Sequence, residues 1–542
     1  MVRKHKTASL RGSQSPMDED KERAHRACEK CTRTKKRCDK ALPSCSRCVR
    51  LAATCCYDYV FTAPTTTVVD PSAYGASLSP KDHAGAVPPR NPIFEPELET
   101  PPALIMGLLT SNNIIWRDSV NLYFQTTNLW LSAIHQDRFL RKIETLGQND
   151  SPTDPCLALL IVCMHLVTQY ADAGNPVMPD GTEMLVLPTY IIAKRLLSML
   201  RAQVAPSMEL IQCAALLCLY EFGHGDFMKA YVTVGDAYTT AKFLNIRPIK
   251  YNEAERDLPV SPEDEERWNL YWALLIVDRL LRVERRLMWK PFHVSCPADD
   301  DLLPTTNIVW NNQTQSSVRI VQRHPANICA SVTLGAFQRN CQCAILLTKA
   351  LTWELETHWS GRPPSVTSFE ELDIATRNLI EAMLLQTPTW GEYFECFATC
   401  TCLLLLLYCS YLQSIDASNI NTASSNVEVL KAISGINFTI RIIADTITDL
   451  NRSLAQRPDL LATCSPVTPF SAYHSLAALS NFEHVIPDSD SRFHDIYSSL
   501  HFFAKRWGVA GQLVQRIESF LATKDENENA VLDFTFSSLN IT

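Results

Sequence analysis

Thirty residues near the start of the chain carry its most informative pattern, Cys28–Tyr57: CEKCTRTKKRCDKALPSCSRCVRLAATCCY. The cysteines are spaced Cys28-x2-Cys31-x6-Cys38-x6-Cys45-x2-Cys48-x6-Cys55. Adding 17 to positions 28, 31 and 38 gives 45, 48 and 55, so the stretch is two copies of one unit and implies a pseudo-two-fold fold. A segment so short and polar needs a staple to fold, and a structural metal is one. Zinc takes four ligands, usually thiolates where cysteine is at hand. One ion would leave two of the six cysteines idle and break the repeat. Two ions need eight ligand places, which six thiolates fill only if two of them bridge. Symmetry asks that the bridges be equivalent, and Cys28 and Cys45 each open a unit. A one-zinc ribbon with spare thiols and a disulfide knot are the competing arrangements.

The charge around this stretch is uneven. Net charge is −8 over 542 residues. Residues 1–57 hold 15 Lys+Arg against 6 Asp+Glu, a charge of +9, while the rest hold 35 against 52, a charge of −17. Two zinc ions and six thiolates add −2, which leaves the head strongly basic. A basic head on an acidic body implies that the head alone meets a polyanion. The chain has 20 cysteines, and those beyond Cys56 show no pairing pattern. Residues 1–16, MVRKHKTASLRGSQSP, lack the apolar run of a secretory signal, so reduced thiols in an intracellular compartment are expected.

Composition divides the chain further. Residues 1–27 are polar and mixed in charge and read as a disordered arm. Residues 28–57 are the cysteine module. Residues 58–103 hold nine prolines among many Ser and Thr and read as a stiffened linker without heptads. Residues 104–522 show apolar positions at helical spacing, with patterns over 327–358, 369–385, 392–415, 426–453 and 492–522 and no alternating strand series. Glycine is scarce, 16 in all, which argues against an all-β fold or glycine-rich phosphate loops. Ser261-Pro262-Glu263-Asp264 is a helix start, and the following EERWNLYWALLIVDRLL sets Trp268, Tyr271, Trp272, Leu275 and Leu281 on a buried stripe. Cys396–Ile415 is uncharged and long enough to cross a bilayer, but Thr399, Thr401, Ser410 and Gln413 favour a buried core helix. Residues 523–542 mix acid with Leu532, Phe534, Phe536 and Leu539, an acidic-hydrophobic tail whose Asp533–Leu539 stretch is a candidate activation segment.

The module resembles the fungal binuclear zinc cluster family of transcription factors. All six cysteines match in spacing, as do the basic run before Cys38, Asp39, Pro43 and Tyr57. The resemblance implies two Zn2+ ions on Cys28, Cys31, Cys38, Cys45, Cys48 and Cys55, bridged by Cys28 and Cys45. Cys55, not Cys56, keeps the 17-residue offset. The resemblance also implies that the Thr32–Arg37 turn enters the DNA major groove as a helix, with Lys35 reading guanine O6 and N7 of a CGG triplet. Arg33, Lys36 and Arg37, with Arg47 and Arg50 of the second unit, would contact phosphates. Thr34 stands where the family often has a cation. More loosely, 118–410 resembles the family's all-α regulatory domain.

The body offers no catalytic constellation. Asp299-Asp300-Asp301 between Pro297 and Pro304 reads as a solvated loop, since adjacent carboxylates do not converge on one ion. Gly223-His224-Gly225 lacks a third glycine and a preceding strand. His135 is isolated and reads as capping or packed, and Asp278-Arg279 as a structural ion pair. The expectation is therefore an all-α chain, not an enzyme and not membrane-bound. It would be a nuclear regulator that binds double-stranded DNA and the transcription machinery or coactivators at RNA polymerase II promoters. A nutrient and a secondary-metabolite pathway fit equally, as do monomer, homodimer and heterodimer. The rival classes are an enzyme with a structural zinc head and a scaffold whose cluster grips a protein. Enrichment of CGG-like triplets from random duplexes separates them.

Overall fold

The computed structural model describes residues 27–41, 44–51 and 55 of the head. In the body it describes 114–146, 154–169, 188–256, 258–311, 316–360, 366–386, 393–416, 427–482 and 488–526, together with a few isolated positions. The arm 1–26, the linker 58–103, Cys56, Tyr57 and the Asp533–Leu539 stretch lie outside the described residues. The chain divides into two units, Met1–Phe94 and Glu95–Thr542.

In the first unit, helix α1 (Glu29–Arg33) and helix α2 (Ser46–Arg50) each begin one residue after a cysteine. Their bounds differ by the same 17 residues as the cysteines, so the sequence repeat is a structural repeat.

The second unit is helical. Its first part runs α3 (Trp116–Gln125), α4 (Thr127–Trp130), α5 (Gln136–Leu146), α6 (Pro155–Thr168), α7 (Pro188–Gln203), α8 (Met208–Gly223), α9 (Phe227–Phe243) and α10 (Pro262–Leu280). Local chemistry sets several starts. Asp154 accepts from the N–H groups of Cys156 and Leu157 ahead of α6, and Ser207 accepts from Leu210 ahead of α8. The expected start at Ser261 is observed, with its hydroxyl accepting from the Asp264 N–H at 3.1 Å. IQCAALLCLYEF is apolar on every side, and α8 accordingly lies inside, packed against by α6, α7, α9 and α10.

The chain continues through the short α11 (Arg285–Met288) into a hairpin, β1 (Thr306–Asn311) and β2 (Ser316–Val321), antiparallel with Val309 opposite Val318. This hairpin corrects the strandless reading. Its two arms are six residues each, too short for alternation to stand out, yet rich in β-branched residues. The second part runs α12 (Ala336–Ser360), α13 (Val366–Gln386), α14 (Phe394–Asp416), α15 (Val427–Gln456), α16 (Thr468–Asn481), α17 (Ser489–Ala504) and α18 (Gly508–Glu526). Here α14 is the centre, covered by α12, α13, α15 and α16. It is long and apolar enough to cross a membrane, but 89% of its apolar window is buried within the protein.

Several boundaries differ from the sequence reading. The pattern over 492–522 is two helices, broken at Lys505–Trp507, and α12 starts at Ala336, later than 327. Trp268 is half-buried, whereas Tyr271 and Trp272 are fully inside. The body also extends past 522, since α18 runs to Glu526. Leu532 belongs to the core, its carbonyl accepting from Asn481 Nδ2 at 3.3 Å.

The break at 505–507 closes the fold. Arg506 donates to the carbonyls of Val167 and Gln169 at the end of α6. Trp507 lies over Gly223, where a Cβ would meet its ring at 2.1 Å, and the Gly508 N–H reaches His224 Nδ1 at 3.2 Å. Gly223-His224-Gly225 is thus a packing joint, with Gly225 at φ +84.

Candidate metal centre and nucleic-acid interface

The six head cysteines converge. Cys28, Cys31, Cys45 and Cys48 are buried, and Cys38 and Cys55 pack against them. Cys28 Sγ lies 3.7 Å from Cys45 Sγ and 3.7 Å from Cys48 Sγ, and Cys31 Sγ lies 3.8 Å from Cys45 Sγ. A disulfide would bring two sulfurs to about 2.05 Å. Two thiolates on one tetrahedral zinc, each at about 2.3 Å, stand about 3.8 Å apart. The observed spacings are therefore those of shared coordination. All three cross between the units: Cys28 with Cys45, Cys28 with Cys48, and Cys31 with Cys45.

Local folding aims the sulfurs. Cys28 and Cys45 occupy the N-cap positions of α1 and α2 in extended conformation, φ −61 and −67. A thiolate there gains from the positive end of the helix. Cys45 Sγ accepts from the Cys48 N–H at 3.4 Å, and Cys55 Sγ accepts from the Cys45 N–H at 3.3 Å. Burial pushes the thiols of Cys28, Cys31 and Cys48 up. At Cys45 and Cys55 burial is outweighed by these N–H donors and neighbouring thiols, and both go down. A bound divalent cation deprotonates the thiols that coordinate it. The donor set fits zinc. Asp39 ties the units together, both its oxygens accepting from the Ser46 N–H at 3.1 and 3.2 Å.

The cations stand somewhat differently from the expectation. Helix α1 ends at Arg33, so Lys35, Lys36 and Arg37 are not on it. Thr34 is the C-cap, its hydroxyl donating to the Lys30 carbonyl at 2.8 Å. Lys35 then adopts the left-handed conformation, φ +49, and donates its N–H to Thr32 O at 3.1 Å, while the Lys36 N–H reaches Cys31 O at 3.0 Å. This pair of bonds is a Schellman motif, with Lys35 where glycine is usual. Thr32 through Arg37 are exposed, as is Arg50; Arg47 is half-buried. The second unit lacks the basic run: 17 residues after Lys35-Lys36-Arg37 come Ala52-Ala53-Thr54. The repeat itself could have disclosed this asymmetry.

Two stretches match known families. Residues 26–61 match the fungal Zn(2)-Cys(6) binuclear cluster domain, and residues 120–347 match the fungal specific transcription factor domain. Together the two matches support the fungal binuclear zinc cluster family of transcription factors. The regulatory match is shorter than the expected 118–410. A protein of Botryotinia fuckeliana (strain B05.10) named transcription factor BOA15 is 30% identical over 116 residues, 21% of this chain. The chain spans 57% of that relative's length. Both matched domains are those of transcription factors, not of enzymes, and the cluster match with the converging thiols supports zinc binding by the head.

The other singled-out residues are structural. Asp299 pairs with Lys349 at 3.3 Å; Asp300 pairs with Lys250; Asp301 is buried, pairs with Lys250 at 3.1 Å and accepts from the Ala298 N–H at 2.6 Å. Asp300 and Asp301 thus share Lys250 while Asp299 engages Lys349, and only Asp299 and Asp300 are solvated. His135 Nδ1 accepts from the Arg138 N–H at 3.4 Å, the capping role expected. Asp278 pairs with Arg279 and also with Arg282, and accepts from the N–H groups of His293 and Val294 at 3.1 Å. Arg282 was not legible as a partner, though its i,i+4 spacing was a signal.

Proposed function

We propose that this chain is a sequence-specific transcription regulator that reads CGG-like triplets in the DNA major groove. Two Zn2+ ions order its head. Cys28, Cys31, Cys38 and Cys45 hold one ion, and Cys45, Cys48, Cys55 and Cys28 hold the other, so that Cys28 and Cys45 bridge. Lys35 donates to guanine O6 and N7, while Arg33, Lys36, Arg37, Arg47 and Arg50 contact phosphates.

The observation that carries this reading is the backbone of Lys35. A non-glycine residue at φ +49 costs on the order of 1 kcal/mol, and glycine would cap α1 at no such cost. The lysine side chain is retained where folding disfavours it, exposed, and flanked by further cations. That favours use of the side chain outside the fold. The acidic body would not itself meet DNA. It would receive signals and pass them to coactivators or the transcription machinery, in the nucleus, at RNA polymerase II promoters of a nutrient or secondary-metabolite pathway.

Selection of bound sequences from random duplexes by the zinc-loaded full chain tests the reading. Enrichment of CGG-like triplets is expected. Binding with no enriched triplet, or enrichment unchanged in Lys35→Ala, overturns it.

A further inference from the structure

Arg339 stands in the first turn of α12 and is fully buried. Its guanidinium donates to the carbonyls of Ala330 and Val332 and to the side-chain oxygens of Gln342 and Gln386, all neutral acceptors. Among the described residues no carboxylate is bonded to it. A buried cation without a counter-charge is costly. Cys343 lies one turn further along α12, on the same face. Its sulfur is 3.5 Å from Cys400 Sγ on the facing helix α14. Cys396, one turn before Cys400, also borders Cys343, whose sulfur lies 3.8 Å from the Cys396 carbonyl, and its thiol lies 3.4 Å from Ala336 O and 3.3 Å from Asn340 Oδ1. Cys400 is the residue whose sulfur comes within 3.5 Å of the Cys343 sulfur.

We propose that Cys343 is an oxidant-reactive thiolate balancing Arg339, and that hydroperoxide joins it to Cys400 as a disulfide pinning α12 to α14. Burial alone would push the Cys343 thiol up. Hydrogen bonds from Cys396 and Cys400, with the Arg339 charge, outweigh burial and bring it down to about 5. The neighbouring thiols of Cys341, Cys396, Cys400 and Cys402 all stand above their ordinary range. Glu395 is the acidic group nearby. Both its oxygens lack hydrogen-bond partners, and burial raises it well above the usual carboxylate range.

The chemistry balances with hydrogen peroxide as the oxidant. The Cys343 thiolate attacks one peroxide oxygen, the O–O bond breaks, and the leaving hydroxide takes a proton to become water. Cys343 is then a sulfenic acid. The Cys400 sulfur attacks it; the S–S bond forms, the S–O bond breaks, and a second water leaves. Two thiols give up two electrons and one peroxide takes them. The sulfurs close from 3.5 Å to about 2.05 Å, a small shift between packed helices. Both sulfurs are buried, so the reaction runs no faster than the body opens locally to admit peroxide.

The test is peptide mapping of the zinc-loaded full chain after hydrogen peroxide treatment and thiol blocking. The expected product is a Cys343–Cys400 cross-linked peptide, reversed by dithiothreitol and formed while Cys341 stays reduced. Cys400→Ser, nearly isosteric, stops at a Cys343 sulfenic acid trapped by dimedone. Arg339→Gln slows the reaction roughly tenfold or more at pH 7, and Arg339→Lys restores it. If the Gln variant does not fold, the Cys400→Ser trap still decides. The proposal is overturned if Cys343 stays reduced while the exposed Cys329 is oxidised, or if Cys343 couples to Cys396.

Discussion

Residues 28–33 and 45–50 trace one path twice. Each opens on a cysteine in extended conformation (ψ 153 at Cys28, 146 at Cys45), turns through a five-residue helix, and stops on an arginine whose next residue closes the end (Thr34 at φ −86, Leu51 at φ −95). The residues between the cysteines diverge. Thr32, Thr34, Lys35, Lys36 and Arg37 in the first copy stand opposite Val49, Leu51, Ala52, Ala53 and Thr54 in the second. The backbone follows the shared metal ligands; the surface follows use. Only the first copy carries a cation run, Lys35-Lys36-Arg37; the second offers Arg47 and Arg50.

The largest expected effect lies in what the copies share. Chelation of zinc should melt α1 and α2 together, since the metal supplies the folding free energy of such a module, on the order of 10–16 kcal/mol. Elemental analysis of the full chain should return two ions. Cys28→Ser and Cys45→Ser should each lose more metal than Cys38→Ser, because a bridging sulfur serves both ions. Equal metal content in Cys45→Ser and Cys38→Ser would remove the bridge and with it the symmetry.

Next in size is the residue that separates the copies. Lys35→Ala should weaken the preferred triplet by about 1–3 kcal/mol relative to other triplets. Lys35→Gly should lose the same preference while raising the stability of the head by about 0.5–1 kcal/mol, because glycine adopts φ +49 without strain. Paired thermal melts and duplex binding measure both effects. A Gly variant that melts earlier would show that Lys35 serves the fold.

A smaller effect is expected at the arginines both copies retain. Arg50→Ala should weaken binding evenly across sequences and lower the slope of log affinity against log salt by about 0.9. A change in sequence preference instead would extend base reading into the second copy.

The repeat and the thiol cluster of the head were legible in sequence because its organising contacts are few and periodic. Six sulfurs at an offset of 17 announce the repeat and a place for metal. What spacing left unresolved was that α1 stops at Arg33 and that Lys35 turns left-handed, since a lysine carries no propensity for that conformation. The body was legible where one residue sets the backbone, as at Ser261, or where a whole helix is apolar, as in α8 and α14. It was opaque where partners are remote. Arg506 meets Val167 from 339 residues away, and Cys343 meets Cys400 from 57, and no local pattern encodes either. The hairpin 306–321 was missed because its pairing is confined to two short arms.

The smallest expected effect tests whether the second copy's surface is as idle as the comparison implies. Val49 and Leu51 are 65% and 54% exposed, where the first copy has Thr32 and Thr34. Giving the second copy the first copy's residues, Val49→Thr and Leu51→Thr, removes little buried apolar area. The Leu51→Thr hydroxyl can reach the Arg47 carbonyl as Thr34 reaches that of Lys30. Stability should therefore move by no more than about 0.5 kcal/mol, with triplet preference and salt slope unchanged. A larger loss in either substitution, read as an earlier thermal midpoint of the zinc-loaded chain, would mean that this apolar face is covered in solution. The two copies would then differ in that one binds DNA while the other binds protein.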